Sequence, residues 1–416
     1  MSTDERITTR GAARAAAPSA WWRTRGWGIV GALSVTETVS WGILYYAFAV
    51  FLIPMQRELG FSAAELTGAY SLALLISAVA GIAVGRWLDR YSPRALMTAG
   101  SIAGTALVLA WSQIDGLAAF YALWAAIGIV MAIVLYEPAF TVLAKWFPHP
   151  DERRRAMTAL TLVAALASFI FLPLSQALVD AHGWRDALVV LAIILGATTI
   201  PLHALVLRRA PSDPVPHAPA PRSRAAREVL RSGPFWLLTA AFFLGTFTGI
   251  AMTVHAIPFL LERGYSAPFA AFAVGLIGIS QIPGRVFFAL IGSRLPRELA
   301  ITAVFALIGI GIALLTGVHA TLAVAAGLVL LGMGNGMATL ARATAIADLY
   351  GGASYGTINS VAAAGTTAAR AAGPVTAALY AAAFGYGTLL WTLVGIAALA
   401  GLLAFHAERH AAASIA

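Results

Sequence analysis

The chain has 416 residues, 60% of them hydrophobic and only 11% charged, whereas soluble domains carry roughly 25% charged residues; an ordinary globular enzyme is therefore excluded. It contains no cysteine, which removes disulfides, thiolate metal sites and cysteine catalysis. The formal net charge of +9 would suit a nucleic-acid partner, but the placement of the basic residues gives it another meaning.

Residues 1–26 read as an N-terminal tail, the first 20 of them disordered. Twelve apolar stretches follow, near 27–53, 64–86, 94–112, 117–145, 156–179, 185–207, 234–261, 267–291, 298–316, 320–344, 356–383 and 386–406. As helices of about 20 residues or more, they can each cross roughly 30 Å of hydrocarbon. None has the alternation of a barrel strand, so the fold class is an all-α integral membrane protein. The first stretch is too long for a signal-peptide core and is expected to stay in the mature protein. Between the sixth and seventh lies "APSDPVPHAPAPRSRAAREVLRSG" (Ala210–Gly233), rich in proline and arginine, which reads as a linker. The expected organisation is an N-terminal six-helix bundle at 27–207, a linker at 208–233, a C-terminal bundle at 234–406 and a tail at 407–416.

The 27 lysines and arginines are sorted by this topology. Arg57, Arg185 and Arg263 lie in loops on one side, and Arg285, Arg342 and Arg370 lie within spans. The other 21 fall on the side of the termini and the linker. That bias puts both termini in the cytoplasm and makes the basicity a topological signal, with no nucleic-acid partner. Lys145 is the only lysine among these, an arginine-for-lysine habit of GC-rich bacterial genomes. A bacterial inner membrane is the expected location.

The two halves repeat. "IPMQRELGFSA" from Ile53 and "IPFLLERGYSA" from Ile257 align without gaps at a shift of 204, and the same shift pairs Gly128 with Gly332. After the second stretch comes "GRWLDRYSPR" (Gly85–Arg94), and the shift sets "ALIGSRLPR" opposite it, with Ser293 in place of the aspartate. Twelve spans, a parallel six-helix repeat and this motif together resemble the major facilitator superfamily. Gly85, Asp89, Arg90 and Arg94 match its motif between helices 2 and 3, while Ser92 and Pro93 depart from it. The resemblance implies two pseudo-symmetric bundles with substrate bound between them. It also implies a latch in which Asp89 meets the N-terminus of helix 11 when the protein faces outward. A carboxylate is favoured at a helix N-terminus on general grounds. The structural alternative is that Arg86, Arg90 and Arg94 only set topology.

Six ionisable side chains fall at membrane depth: Glu37, Glu137, His255, Arg285, Arg342 and Arg370. Each would be costly in lipid, so each is a candidate functional residue. Arg370 lies deep in helix 11 among small residues and just before Pro374; it either faces the cavity or pairs with Glu37 or Glu137. Arg285 replaces the Gly81 of the other half and either faces the cavity or snorkels. Arg342, nearer the cytoplasmic end of helix 10, reads as a snorkelling or latch residue, the alternative being substrate contact. An arginine in helix 8 and a cation in helix 11, with "VHAIPFLLERGYS" followed by "GR", resemble the oxalate–formate antiporter and monocarboxylate carrier group. Two guanidiniums suit a carboxylate, since each offers a planar pair of donors. Tyr45 and Tyr46 in helix 1 could line the cavity or pack. Glu37, Glu137 and His255 are the candidate proton carriers: desolvation favours the neutral form of a carboxyl, and histidine titrates near neutrality. The alternatives are a permanent salt bridge for the acids and a satisfied interfacial position for His255.

No P-loop, HExxH or GxSxG is present, and no enzyme activity, cofactor or metal is expected. The expected function is secondary active transport of a small organic anion, a mono- or dicarboxylate, by a monomer in the lipid bilayer, coupled to protons or to anion exchange. The rival is a proton-driven exporter of hydrophobic compounds, but "ALASFIFLPLSQAL" in helix 5 lacks that group's repeated glycines. A membrane sensor or scaffold would be expected to add a soluble domain or extended tail, and the sequence shows neither.

Overall fold

A computed structural model describes residues 20–210 and 222–415, apart from 293, 319, 352 and 353. The tail before residue 20, the 211–221 part of the linker and Ser293 lie outside the described residues. Among the described residues, ten helical runs are long and apolar enough to cross a membrane. Two of them, Pro150–Leu205 and Tyr355–His410, have 56 residues each. Straight, such a run would extend about 84 Å, far beyond a bilayer of roughly 30 Å. Each is broken at a glycine of positive φ, Gly183 at 79° and Gly385 at 82°. The Tyr380 and Thr392 hydroxyls lie 3.0 Å apart, whereas twelve residues of straight helix would separate them by about 18 Å. The chain therefore doubles back at Gly385. With each long run counted as two, the described residues form twelve helices able to cross.

They are α1 (Arg25–Leu59), α2 (Ala63–Arg90), α3 (Pro93–Trp111), α4 (Leu117–Trp146), α5 (150–182), α6 (184–205), α7 (Gly233–Glu262), α8 (Ala267–Ile291), α9 (Arg297–Gly317), α10 (Thr321–Tyr350), α11 (355–384) and α12 (386–415). An even number of crossings puts the two ends on one face. Helix reaches further than the sequence suggested. It begins at Ala20 and continues to Ile415, so residues 20–26 and 407–415, expected as tails, extend α1 and α12. Alanine-rich "HAERHAAAS" propagates helix without needing a buried face. Within the expected linker, Arg222–Val229 forms a short helix. Large apolar side chains such as Val79, Phe272 and Leu322 stand on the outer surface, as they would against lipid tails.

The repeat holds at atomic detail. Gly60 and Gly264 both take positive φ, 72° and 84°, just beyond α1 and α7. Ser62 and Ser266 each cap the next helix with the side-chain oxygen. A Cβ built on Gly128 would lie 2.4 Å from the Ala73 carbonyl oxygen, and one on Gly332 would lie 2.4 Å from that of Ile277. Ala73 and Ile277 are themselves 204 residues apart. The α2–α4 and α8–α10 pairs thus meet backbone to backbone at the same place, where only glycine fits.

Candidate binding cavity

Helix α1 does not cross as a uniform helix. Trp41–Tyr46 form a π-helical turn, with the Ala47 N–H donating to the Gly42 carbonyl at 2.9 Å. Such turns widen the helix and recur at functional sites. Gly42 permits it here, because a Cβ at that point would sit 2.2 Å from the Phe171 ring of α5. The turn presents Trp41, Tyr45 and Tyr46 together to a cavity of about 720 Å³ between the two sets of six helices. Tyr136 of α4 joins them, with ring centroids 4.9 Å apart for Trp41–Tyr45, 4.9 Å for Trp41–Tyr136 and 5.1 Å for Tyr45–Tyr46. The N-terminal half thus supplies an aromatic wall.

The facing wall is cationic, with Arg285 of α8, Arg342 of α10 and Arg370 of α11 all lining the cavity. Their partners differ. Arg342 is buried and fully engaged, its Nη2 donating to Glu137 Oε1 at 2.6 Å and its Nη1 to Asn359 Oδ1 at 2.8 Å. Asn359 in turn donates to Glu137 Oε2 at 2.6 Å. Arg285, 5% exposed, donates through Nη1 to the Thr161 carbonyl of α5 at 2.5 Å, while its Nε has no hydrogen-bond partner. Among the described residues, Arg370 has neither a hydrogen bond nor an ion pair, and its guanidinium borders the cavity. Pro374 lacks the N–H that would have bonded the Arg370 carbonyl, which loosens α11 at this turn. Neither acid of the N-terminal half pairs with Arg370, so that structural alternative is not realised.

The acids occupy different settings. Glu137 holds Arg342, not a free position on the wall. Arg342 is therefore a mid-depth tie between halves and not a snorkelling residue. Glu37 is fully buried behind the aromatic wall, with Oε2 accepting from Trp41 Nε1 at 3.1 Å and Oε1 without a partner. No cation lies within ion-pair distance of it among the described residues, so a charge there would be uncompensated. His255 lies within the C-terminal set, one ring nitrogen 3.0 Å from the Pro374 carbonyl and the other 3.3 Å from the Tyr386 hydroxyl. These partners assign Nε2 as the donor and Nδ1 as the acceptor, the satisfied arrangement of a packing residue.

One end of the cavity is shut. Asp89 accepts from the Gly356 N–H at 2.9 Å, the Thr357 N–H at 2.8 Å and the Thr357 hydroxyl at 2.6 Å, all in the first turn of α11. Gly85 lets the helices approach, since a Cβ there would be 2.2 Å from the Gly356 carbonyl oxygen. Arg90 and Arg94 are exposed beside it; the Arg90 carbonyl accepts from Arg209 at 3.4 Å. Arg153 pairs with Asp348 across the same face, and Arg154 lies 4.0 Å from that carboxylate. The polar ties between halves found among the described residues lie on this terminus-bearing face or at mid-depth. No such tie is found among the described residues at the opposite face.

Several residues of this arrangement escaped sequence reasoning, Trp41 and Tyr136 of the aromatic wall among them. Asn335 lines the cavity, held where a Cβ on Gly249 would come within 2.2 Å of its Oδ1; its signal was a lone amide among glycines in "GMGNGM". Asn359 and the Arg153–Asp348 pair carried no signal beyond being polar near a helix end.

The family model of the Major Facilitator Superfamily matches residues 35–361. The oxalate:formate antiporter of Oxalobacter formigenes is 26% identical over 274 residues, 65% of this chain and 64% of that protein. Monocarboxylate transporter 13 of Bos taurus is 29% identical over 298 residues, 69% of this chain and 65% of that protein. The chain thus spans slightly less than two thirds of either relative, and both are named as transport proteins, not enzymes. Among solved structures, the transporter FucP in its outward conformation aligns with a TM-score of 0.72 at 17% identity, covering 92% of this chain and 98% of that one, a likeness of fold alone.

Proposed function

Because the chain belongs to the Major Facilitator Superfamily, we propose that it is a secondary active transporter moving a small organic anion, a mono- or dicarboxylate, by alternating access between its two six-helix bundles (27–207 and 234–406). The observation that carries this reading is Arg370, a cation at membrane depth on the wall of a large cavity, without a partner among the described residues. Arg285, with one donor unpaired, stands on the same wall. Glu137 neutralises Arg342, and Glu37 lies behind Trp41, so two guanidiniums are left to answer an incoming anion. A carboxylate bound there relieves the cost of holding those charges out of water.

The remaining parts take roles around that site. With the termini in the cytoplasm of a bacterial inner membrane, as the arginine distribution supports, the cavity faces outward and Asp89 latches the inner face with Gly85, Arg90 and Arg94. Tyr45 and Tyr46 contact the substrate. Glu37 is the first choice for proton coupling, since Trp41, its one hydrogen-bond partner, is itself a cavity residue. Glu137 would serve if the Arg342 tie breaks during the cycle, and His255 is the least suited. The protein works as a monomer.

The test is uptake of radiolabelled carboxylates into proteoliposomes, together with thermal shift of the purified protein. A ligand at 100 times its Kd raises apparent stability by about 2.7 kcal/mol. Arg285→Gln and Arg370→Gln should each abolish uptake while inserting normally, and the Lys variants should be strongly impaired through loss of the planar donor pair. Wild-type uptake in both Gln variants would remove the anion reading and favour export of neutral hydrophobic compounds.

A further inference from the structure

The cavity is built for more than a carboxylate. At about 720 Å³ it falls within the roughly 300–1,000 Å³ of sites that enclose drug-sized ligands. The cations come from the C-terminal helices and four aromatic side chains from the N-terminal ones, and the two sets meet where the Tyr136 hydroxyl accepts from Arg285. A one- or two-carbon acid would satisfy the guanidiniums and leave the aromatic wall uncovered.

Helix α8 indicates where the rest of a ligand would lie. Gly275, Gly278, Ile282 and Arg285 line the cavity at helical spacing, along one face. Most cavity and core glycines here are required by packing: a Cβ on Gly284 would meet the Met333 carbonyl oxygen at 2.4 Å, and one on Gly245 the Phe305 ring at 2.1 Å. Gly275 and Gly278 differ, because a Cβ on either would meet nothing within 4 Å. No neighbour of the fold demands that they lack side chains, and the space in front of them is the cavity itself. Gly278 lies about 10 Å along the axis from Arg285, a buried cation whose Nε is without a partner.

Resting on the anion reading above, we propose that the substrate is a carboxylate with an aromatic or comparably bulky apolar body, and that Gly275 and Gly278 determine its size. The carboxylate meets Arg285 and Arg370. The body lies along the bare backbone of Gly278 and Gly275 and faces the Trp41, Tyr45, Tyr46 and Tyr136 rings, where edge-to-face or offset stacking is favoured. Gly275 and Gly278 act by leaving room for the substrate.

The experiment compares 3-phenylpropionate with acetate and oxalate by thermal-shift titration and by competition for uptake, in the wild-type protein and in Gly278→Leu, Gly275→Leu and Trp41→Ala. The wild type should bind 3-phenylpropionate at least about 10-fold more tightly than acetate or oxalate, from the added apolar burial. Each Leu variant should lose about 10-fold or more for 3-phenylpropionate while keeping acetate within about 3-fold. Trp41→Ala should erode the aryl preference in the same direction. Gly278→Ala, which favours helix and fills less space, keeps the test valid if a Leu variant fails to fold; it should weaken only the aryl acid. Tighter binding of acetate or oxalate in the wild type, or equal losses for small and aryl acids in the glycine variants, overturns the proposal while leaving the anion reading intact. If no carboxylate binds, and 3-phenylpropionamide binds as well as the acid is expected to, both fall.

Discussion

Asp89→Asn isolates the latch. In the structure the carboxylate accepts three hydrogen bonds, two at Oδ2 from the Thr357 N–H and hydroxyl and one at Oδ1 from the Gly356 N–H. An asparagine has one carbonyl oxygen, and its amide hydrogens would face whichever backbone N–H that oxygen does not serve. With that oxygen in the Oδ2 place both Thr357 bonds persist at about half their charge-assisted strength, and the Gly356 N–H bond is lost. Bonds to a charged group contribute about 1.5–3 kcal/mol each, and the lower end applies here because the amide is cheaper to bury than the carboxylate. The loss is then about 3 kcal/mol, near 100-fold in an equilibrium constant. Because the partners sit on different halves, this falls on the balance between conformations and not on the fold. Thr141, 1% exposed and packed beside Gly356, offers a reporter. Thr141→Cys would be the only cysteine in the chain, and its thiol should react only when the terminus-bearing face opens. Adding Asp89→Asn should speed its alkylation by about two orders of magnitude. An unchanged rate would refute the latch.

Glu37→Gln should leave anion counterflow intact and abolish accumulation driven by a pH gradient in the same liposomes; normal accumulation would exclude Glu37 as the coupling site, and Glu137→Gln should then be tried. Glu137→Gln should also open the terminus-bearing face to the Thr141→Cys reporter, though less than Asp89→Asn, because the glutamine carbonyl can still accept from Arg342 or Asn359 and the native carboxylate is partly solvated; no change would show that the tie carries no conformational energy. Gly128→Ala and Gly332→Ala should each destabilise the detergent-solubilised protein by about 1–3 kcal/mol through overpacking, whereas Gly81→Ala, whose Cβ meets nothing within 4 Å, should be neutral or slightly stabilising. Equal melting temperatures for all three would contradict the helix contacts described above.

The twelve crossings and the repeat were legible because both rest on long-range regularities: apolar runs of fixed length, and identities at one constant shift. Helix ends were less legible, since alanine-rich flanks such as 407–415 can be helix with or without a membrane around them. At the cavity, Arg285 and Arg370 stood out because a charge in an apolar run is conspicuous. Their partners did not, because which acid reaches which arginine depends on helix rotation, and a half-turn separates a salt bridge from an unpartnered cation. Thus Arg342, read as snorkelling or latching, holds Glu137, while Arg370, read as facing the cavity or pairing with an acid, does not. The π-helical turn at Trp41–Tyr46 was out of reach for a related reason: it depends on Phe171, 129 positions further along the chain from Gly42, seating itself where Gly42 leaves room.

The cavity volume has a consequence for solvent. Filled with water at ~30 Å³ per molecule, about 720 Å³ holds roughly 24 molecules. In the proposed alternating-access cycle, the swing that seals it would return most of them to bulk, making water a stoichiometric participant in that step. A solute too large to enter lowers the activity of that water outside and not within. Its effect is on the order of 0.25 kcal/mol per osmolal, a factor of about 1.5 in the ratio of open to sealed forms. A cell under hyperosmotic stress would hold more of this protein sealed, with no ligand, proton or mutation involved.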